Sequence, residues 1–257
     1  MSDKPTRVGR RALLTTAVAT AAAAVVHTQS QTAPASATGP SASTPTNPPP
    51  TTLTNVPLGD GVTLTVERRD QIVLIGINRP AIFNRLDPPT RQKMGQAFYA
   101  YEHDPTLRAA ILFGHGPHFS RGIDVDAATP GLQSGQPATP PTNLPTVSVP
   151  GNGANRLTKP LIVVAHGDTW NLGHEIYLAA DIRIAAASTN FGQDECSHAR
   201  FPGGGATVRF VREAGWGNAM RYMLTGDHWT AEESYRIGIT QQIAPTPAAA
   251  LDAAVAM

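Results

Sequence analysis

Four short, continuous apolar runs constrain the fold of this chain more than any other feature of its sequence. Each run has the length of a buried strand. The runs are IVLIGI (72–77), AAILF (109–113), LIVVAH (161–166) and IRIAA (182–186). Ahead of them, VTLTVE (62–67) alternates apolar and polar residues, which is typical of a half-buried strand.

Helical signals lie between and after these runs. Asp87 can cap a helix whose first turn contains Pro88 and Pro89. Apolar residues then recur at i, i+3, i+4 and i+7, namely Met94, Ala97, Phe98 and Tyr101. A capping box from Thr230 to Glu233 predicts a further helix. Strands that alternate with helices predict an α/β domain with mostly parallel pairing.

The first 57 residues have a different composition. Arg10-Arg11 precede an apolar run from Ala12 to Val26, which is shorter than the about 20 residues of a membrane span, and Ala35-Ser36-Ala37 offers a cleavage site. We predict a twin-arginine-like export signal over 1–37, a Pro/Thr-rich linker over 38–57 and a folded domain over 58–257. The protein is then exported, without stable membrane insertion after signal removal; a misassigned start would make it cytoplasmic.

Composition and motifs exclude several kinds of site. The formal net charge of +1 gives no reason to expect a nucleic-acid partner. The single cysteine, Cys196, excludes an internal disulfide and a multi-cysteine zinc site. The sequence also lacks a G-x-S-x-G elbow, a P-loop and an H-E-x-x-H motif. We therefore expect no metal site and no redox cofactor.

Two glutamates are the candidate chemical groups. Glu175, in NLGHEIYLAAD, shares a helical face with Leu172, Ile176 and Ala179, where a carboxylate is costly to bury. It is either an ordinary first-turn glutamate or an acid/base. Glu195 follows 20 residues later. A strand that returns beside the helix would bring both to one cleft, where two carboxyl groups can act as acid and base.

Longer segments resemble the crotonase superfamily, the enoyl-CoA hydratases and isomerases. INRPAIFNRLD is similar to its L-N-R-P-x-x-x-N-A-L segment, and AAILFGHGPHFSRGIDV to its strand followed by G-x-G-x-x-F-S-A-G-A-D. KPLIVVAHGDTWNLGHEIYLAADIRIAAASTNFGQDE aligns with the family pattern without gaps, with NLGHE opposite G-G-G-x-E and FGQDE opposite F-G-Q-P-E. FPGGGATVRF and the LTG and AEE segments after it also match. The resemblance extends from about Val62 to Pro245.

The resemblance implies a spiral of ββα turns and an acyl-CoA site, with coenzyme A as part of the substrate. Two backbone N–H groups, of Ile123 and Leu172, would form an oxyanion hole for the thioester oxygen. Glu175 and Glu195 would be the catalytic acid/base pair of a lyase or isomerase of fatty acid metabolism. The remaining positions of these motifs would contact the substrate: Gly122, Asp124, Gly173 and His174.

The chain departs from the family pattern at four places. Asn171-Leu172-Gly173 replaces G-G-G, and Arg121-Gly122-Ile123-Asp124 replaces A-G-A-D. Residues 127–158 are rich in Pro and Gly, without helical period, where the family has a helix. The helices that would follow Met257 help to cover the site and build a trimer. The C-terminal helical part is therefore expected to be short or truncated, and a homotrimer or hexamer is expected only if those helices are present.

Two other functions stay open at this stage. An exported protein would not meet cytosolic coenzyme A thioesters. A branch of the superfamily, similar to oxocamphor hydrolase, cleaves carbon–carbon bonds of β-diketones without coenzyme A. His174, Asp194 and His198 lie near the two glutamates in sequence and would suit that chemistry. A catalytically silent binding protein on the same fold is the other alternative.

Overall fold

The structure of the protein is a computed structural model that describes residues 61–134, 148 and 156–257. The expected export signal and linker lie outside these residues and stay predictions. Within the described part, no helix combines the length and apolar character that a membrane crossing requires.

The described residues form two sheets and seven α-helices. The strands are β1 (Leu64–Arg69), β2 (Ile72–Ile77), β3 (Ala109–Gly114), β4 (Leu161–Ala165), β5 (Asp168–Trp170), β6 (Ile182–Ala186), β7 (Asn190–Gly192), β8 (Trp229–Thr230) and β9 (Gln242–Ala244). The helices are α1 (Pro88–His103), α2 (Val125–Gln133), α3 (Leu172–Ala179), α4 (Ala206–Ala214), α5 (Trp216–Thr225), α6 (Ala231–Arg236) and α7 (Pro247–Val255). Short 3-10 helices cover Pro80–Ile82 and Glu195–His198.

The larger sheet has six strands in the order β1-β2-β3-β4-β6-β9. Only β1 runs antiparallel to its neighbour, and all the other pairs are parallel. The four apolar runs are its central strands, β2, β3, β4 and β6, so the prediction of a mostly parallel α/β domain is confirmed. The smaller sheet has the order β5-β7-β8.

The predicted spiral of ββα turns is visible in the element order. The units β1-β2-α1, β4-β5-α3 and β6-β7-α4 each contribute two strands and a helix. In the last two units the second strands, β5 and β7, pair in parallel in the smaller sheet. In these two units the chain thus adds one strand to each sheet with every turn.

Apolar side chains cover both faces of the six-stranded sheet. Val73, Ile75 and Ile77 of β2 belong to the main core, which also buries the aromatic rings of α1 and α4. Leu74 faces the other way, into a smaller cluster closed by α7. A continuous apolar run is needed because the strand is covered on both faces.

Helix boundaries follow the caps in the sequence. The Asp87 carboxylate accepts the Thr90 N–H at 2.8 Å and starts α1. Thr230 accepts the Glu233 N–H at 3.3 Å and starts α6. The second half of that capping box does not form, since the Glu233 carboxylate instead accepts bonds from Tyr222 and Arg236.

The Pro/Gly-rich stretch is partly helical. α2 extends to Gln133, so the expectation of an irregular chain from residue 127 is wrong for its first residues. The backbone carbonyl of Asp124 accepts the Ala128 N–H in the first turn of this helix, and the Ala128 side chain is buried. Pro130 and Gly131 have low helix propensity and hide the helical pattern in the sequence, but this helix is short, with nine residues. Most of the rest of the stretch lies outside the described residues.

Candidate active site

Two chain segments that follow parallel strands run side by side. Phe119 N–H donates to His166 O, Ser120 N–H to Asp168 O, and Trp170 N–H to Ser120 O, over 2.8–3.1 Å. The pairing carries the residues after β3 past those after β4, at the carboxyl ends of the strands where α/β sheets place their sites. It ends where Gly122 meets the start of α3.

Gly122 allows the two segments to approach closely. It has a φ of +89°, which favours glycine, and a Cβ there would lie 3.1 Å from both the Asn171 Cβ and the Leu172 nitrogen. Gly173 has a similar structural role, because a Cβ on it would collide with the carbonyl oxygen of Ser120. The glycines of these two motifs therefore bring backbone to backbone.

A cavity of about 610 Å³ opens beside this junction. Its lining includes all four residues that were predicted to do chemistry: Ile123, Leu172, Glu175 and Glu195. The other lining residues are mainly aromatic or basic side chains and small loop residues: Phe83, Arg85, Arg91, Arg121, Val125, Trp170, Asn171, Asp194, His198, Arg200, Phe201, Gly203 and Gly204.

The N–H groups of Ile123 and Leu172 are without acceptors among the described residues, whereas those of the residues before them, Gly122 and Asn171, are paired. Asp124 N–H donates to Leu86 O, and Glu175 N–H to Asn171 O. Leu172 is the first residue of α3, where unpaired N–H groups and the helix dipole favour an anion. The two N–H groups can thus receive an oxygen atom that gains negative charge.

Glu175 is almost completely buried, with 2% of its surface exposed. Its Oε1 accepts the Ala206 N–H at 3.1 Å, at the start of α4. Burial raises the pKa of Glu175 to about 7; the N–H groups at the α4 start oppose this shift and the nearby charge of Glu195 adds to it. The carboxyl group can therefore take up or release a proton near neutral pH.

Glu195 begins the short 3-10 helix on the other side of the cavity. The amide nitrogen of Gln193 donates to both carboxylate oxygens, at 2.9 and 3.0 Å. Burial raises the pKa of Glu195 as well, while these hydrogen bonds work against the shift. The sequence-based expectation that the two glutamates share one cleft is met.

His174 does not lie among the cavity-lining residues, so the expected substrate contact needs correction. The ring is fully buried between Phe191, Phe210 and Trp229, and its Nδ1 contacts Gln193 Oε1 at 2.5 Å. Burial lowers the pKa of His174 to about 4, which keeps the ring neutral. Its contact with Gln193 orients the amide that holds Glu195.

Asp124 and the two glycines also lie outside the cavity lining. The Asp124 carboxylate pairs with Arg79 at 3.2 Å and is 8% exposed. Arg79 also pairs with Asp87 at 2.9 Å, which ties the start of α1 to the start of α2. Asp124, Gly122 and Gly173 therefore shape the site from behind its surface.

Sequence reasoning missed the aromatic and basic wall of the cavity. The Arg121 guanidinium lies 3.7 Å from the centre of the Phe83 ring and 4.3 Å from that of Trp170. It also pairs with Asp168 at 2.7 Å. The one available signal was that Arg121 stands where the family pattern has alanine. Within the described chain, no group of three or more His, Cys, Asp or Glu side chains is placed to hold a metal ion.

Comparison with known proteins gives consistent results. The sequence model of the family described as Enoyl-CoA hydratase/isomerase matches residues 67–257. The chain is 36% identical to enoyl-CoA hydratase EchA19 of Mycobacterium tuberculosis over 183 residues, 70% of this chain and 67% of that protein. It is 30% identical to the short-chain-enoyl-CoA hydratase of Clostridium acetobutylicum over 188 residues, 69% and 67% of the two chains.

A solved structure is also similar. The crystal structure of a probable enoyl-CoA hydratase/isomerase from Mycobacterium abscessus superimposes with a TM-score of 0.71 at 42% identity. The match covers 76% of this chain and 73% of that one.

Proposed function

Because this chain belongs to the enoyl-CoA hydratase/isomerase family, we propose that it adds water across the conjugated double bond of an enoyl-CoA thioester. The observation that carries the proposal is the cavity itself. It places two carboxyl groups, Glu175 and Glu195, in the same space as two backbone N–H groups without acceptors. The names of the relatives support hydration over the other reactions of the family.

The N–H groups of Ile123 and Leu172 would hold the thioester oxygen. When water adds to the β-carbon, negative charge moves through the conjugated system to this oxygen and forms an enolate. The N–H groups stand ready before the reaction, so no reorganisation is needed as the charge develops. Each such donor commonly contributes about 3 kcal/mol to transition-state stabilisation.

The two carboxyl groups would exchange protons with the water and the α-carbon. Burial raises the pKa of both carboxyl groups, and the charge of Glu195 raises that of Glu175 further, so we assign the pair one shared proton. The ionised member takes a proton from the water as the water oxygen bonds to the β-carbon. The protonated member gives its proton to the α-carbon as the enolate collapses. The pair finishes with the proton count with which it began.

Hydration of crotonyl-CoA tests this proposal directly. Loss of the ultraviolet absorbance of the conjugated thioester should follow addition of the full-length protein. Glu175→Gln and Glu195→Gln should each lower kcat by about 10²- to 10⁴-fold, the usual range for a lost acid/base. Glu232→Gln, at an exposed position on α6, is the matched control and should keep wild-type activity.

Three outcomes would count against hydration. A folded wild-type protein that neither hydrates nor binds the thioester would refute it. Conversion of a 3-enoyl thioester into its 2-enoyl isomer, without hydration, would assign the same carboxyl pair to isomerisation. If no substitution of either glutamate changes any activity, a silent binding protein becomes the better description.

One observation favours a second candidate, the coenzyme-A-independent hydrolysis of β-diketones. Asp194 and His198 both line the cavity, and their Oδ2 and Nε2 atoms lie 3.7 Å apart. A His/Asp pair could activate water for attack on a ketone carbonyl. Cleavage of a cyclic β-diketone that is lost in His198→Ala but kept in Glu175→Gln would establish this activity in place of hydration.

We also propose export through the predicted signal, and assembly into a homotrimer or hexamer if the further C-terminal helices of the family are present. Mass spectrometry of the mature N-terminus would test the first, and sedimentation equilibrium the second. An intact N-terminus in a cytoplasmic protein, or a monomer at micromolar concentration, would contradict them.

A further inference from the structure

Asn171, the residue before the oxyanion donor Leu172, has an unusual backbone conformation. Its φ is 53° and its ψ is −121°. Asparagine tolerates the left-handed region near a ψ of about +47°, but this ψ lies far outside it, in a region that only glycine enters readily. Such a conformation persists in a non-glycine residue only when its surroundings enforce it.

The enforcement comes from the segment 192–194. Asn171 N–H donates to Gly192 O at 2.9 Å. The Asn171 side chain makes two more bonds, donating from Nδ2 to Asp194 Oδ1 at 2.7 Å and accepting the Asp194 N–H at Oδ1 over 3.0 Å. The amide of Asn171 is thus held at both of its ends by one residue.

These contacts depend on two departures from the family pattern. Asn171 stands where the pattern has the first glycine of G-G-G, and Asp194 where it has the proline of F-G-Q-P-E. A proline has no N–H to donate and no carboxylate to accept. The bonds between Asn171 and Asp194 therefore exist only because both positions differ. The second change supplies the restraint that the first requires.

The pair joins the two halves of the candidate site. Leu172, with its acceptor-free N–H, follows Asn171, and Glu195 follows Asp194. Asp194 is itself braced, because its Oδ2 lies 3.5 Å from His228 Nε2 and 3.7 Å from His198 Nε2. The distance between the oxyanion donor and the second carboxyl group is set through this link.

We propose that Asn171 and Asp194 are positioning residues, which together fix the direction of the Leu172 N–H and its spacing from Glu195. This inference rests on the proposed function, since both positioned groups act in it. Neither side chain has to touch the reacting atoms for the pair to matter. Displacement of a catalytic group by about 1 Å can cost about a hundredfold in rate.

A double-mutant cycle tests the coupling. Asp194→Ala removes the carboxylate that accepts from Asn171 Nδ2 but keeps the backbone N–H bond to Asn171 Oδ1. It should lower kcat on crotonyl-CoA by about tenfold, with KM changed less than about threefold. Asn171→Ala removes both side-chain bonds and should lower kcat by about tenfold to a hundredfold. In the double variant Asp194→Ala should add little to the loss that Asn171→Ala causes, so the two effects should not multiply.

Further variants separate positioning from general damage. Asp194→Asn keeps both bonds to Asn171 and should retain activity within about threefold. Asp227→Ala, at an exposed site, is the matched control. If Asp194→Ala does not fold, Asn171→Ala alone tests the proposal, because it keeps the strained backbone position and loses both side-chain bonds. Unchanged kcat in the unrestrained variant, or losses that multiply in the double variant, would overturn the proposal.

A second readout distinguishes this inference from the proposed function. The enolate of acetoacetyl-CoA absorbs in the near ultraviolet, and its formation on binding requires the oxyanion donors but no hydration. If the wild type hydrates crotonyl-CoA and the cycle is multiplicative, only the inference fails. If the wild type forms the enolate without hydrating, the same cycle is scored on enolate absorbance. A wild type that does neither refutes both.

Discussion

The buried Glu175 carboxyl group should make the stability of the protein depend on pH. Burial raises its pKa from the ordinary value of 4.5 to about 7, so the folded protein binds this proton more tightly than the unfolded chain. The resulting stabilisation is complete below about pH 4.5 and is lost as the pH rises through about 7. Replacement by the neutral Glu175→Gln should remove this loss.

The structure gives the size of the effect. A shift from 4.5 to about 7 corresponds to about 3 kcal/mol, at about 1.4 kcal/mol for each pKa unit. With 2% of the side chain exposed, little solvent screening reduces it. Glutamine cannot accept every backbone N–H at the α4 start, so the variant should be the less stable protein near pH 5. The difference in free energy of unfolding between the variant and the wild type should shift by about 2–3 kcal/mol in favour of the variant between pH 5 and pH 8.

Urea unfolding at several pH values from 5 to 8.5, followed by circular dichroism, measures this difference. Glu232→Gln, on the exposed face of α6, should follow the wild-type profile. Parallel profiles for Glu175→Gln and the wild type would refute the reasoning, because they would mean that Glu175 titrates equally in the folded and unfolded chains. The activity of the same variant is expected to fall, so any stability that it gains at high pH comes with a loss of function.

Two further substitutions, one of them with a matched control, test the surroundings of Glu175 and Glu195. Gly204→Ala places a Cβ against the Glu175 carboxylate and should lower kcat at least tenfold, whereas Gly203→Ala has its nearest neighbour at 3.4 Å and should be tolerated in the same steady-state assay. Burial lowers the pKa of His174 to about 4, so this residue contributes stability that is present above pH 6.5 and is lost as the pH falls through about 4. The contribution is about 3 kcal/mol. His174→Phe should therefore remove part of the loss of stability at acid pH, measured by unfolding at several pH values. Unchanged kcat in Gly204→Ala, or an unchanged acid limb in His174→Phe, would contradict these two assignments.

The parts of the fold that local physics dictates were predictable from sequence. Continuous apolar runs identified β2, β3, β4 and β6, because strands covered on both faces need an apolar residue at every position. The start of α1 followed from Asp87 and its prolines. The strands β5 and β7 were not foreseen, since each has three residues and takes its pairing from a partner far along the chain.

The site could be predicted only where the order of strands and helices, read from the sequence pattern, decides which residues meet. Glu175 and Glu195 share the cavity as expected. His174, next to Glu175, was misplaced because neighbours on a helix point about 100° apart, and sequence does not say which direction meets the cavity. The stacking of Arg121 between Phe83 and Trp170 joins residues that no local rule connects.

The pairing of the segment 119–120 with 166–170 has a consequence for binding entropy. Because these backbones are hydrogen-bonded to each other within the fold, the loss of freedom needed to order Ile123 and Leu172 occurs once, during folding. A thioester that enters the cavity would meet donors that are already immobile. Its affinity then reflects contacts with the protein rather than the cost of ordering the protein. The entropy of binding, obtained by calorimetry, should therefore contain little of the unfavourable contribution that accompanies loop closure.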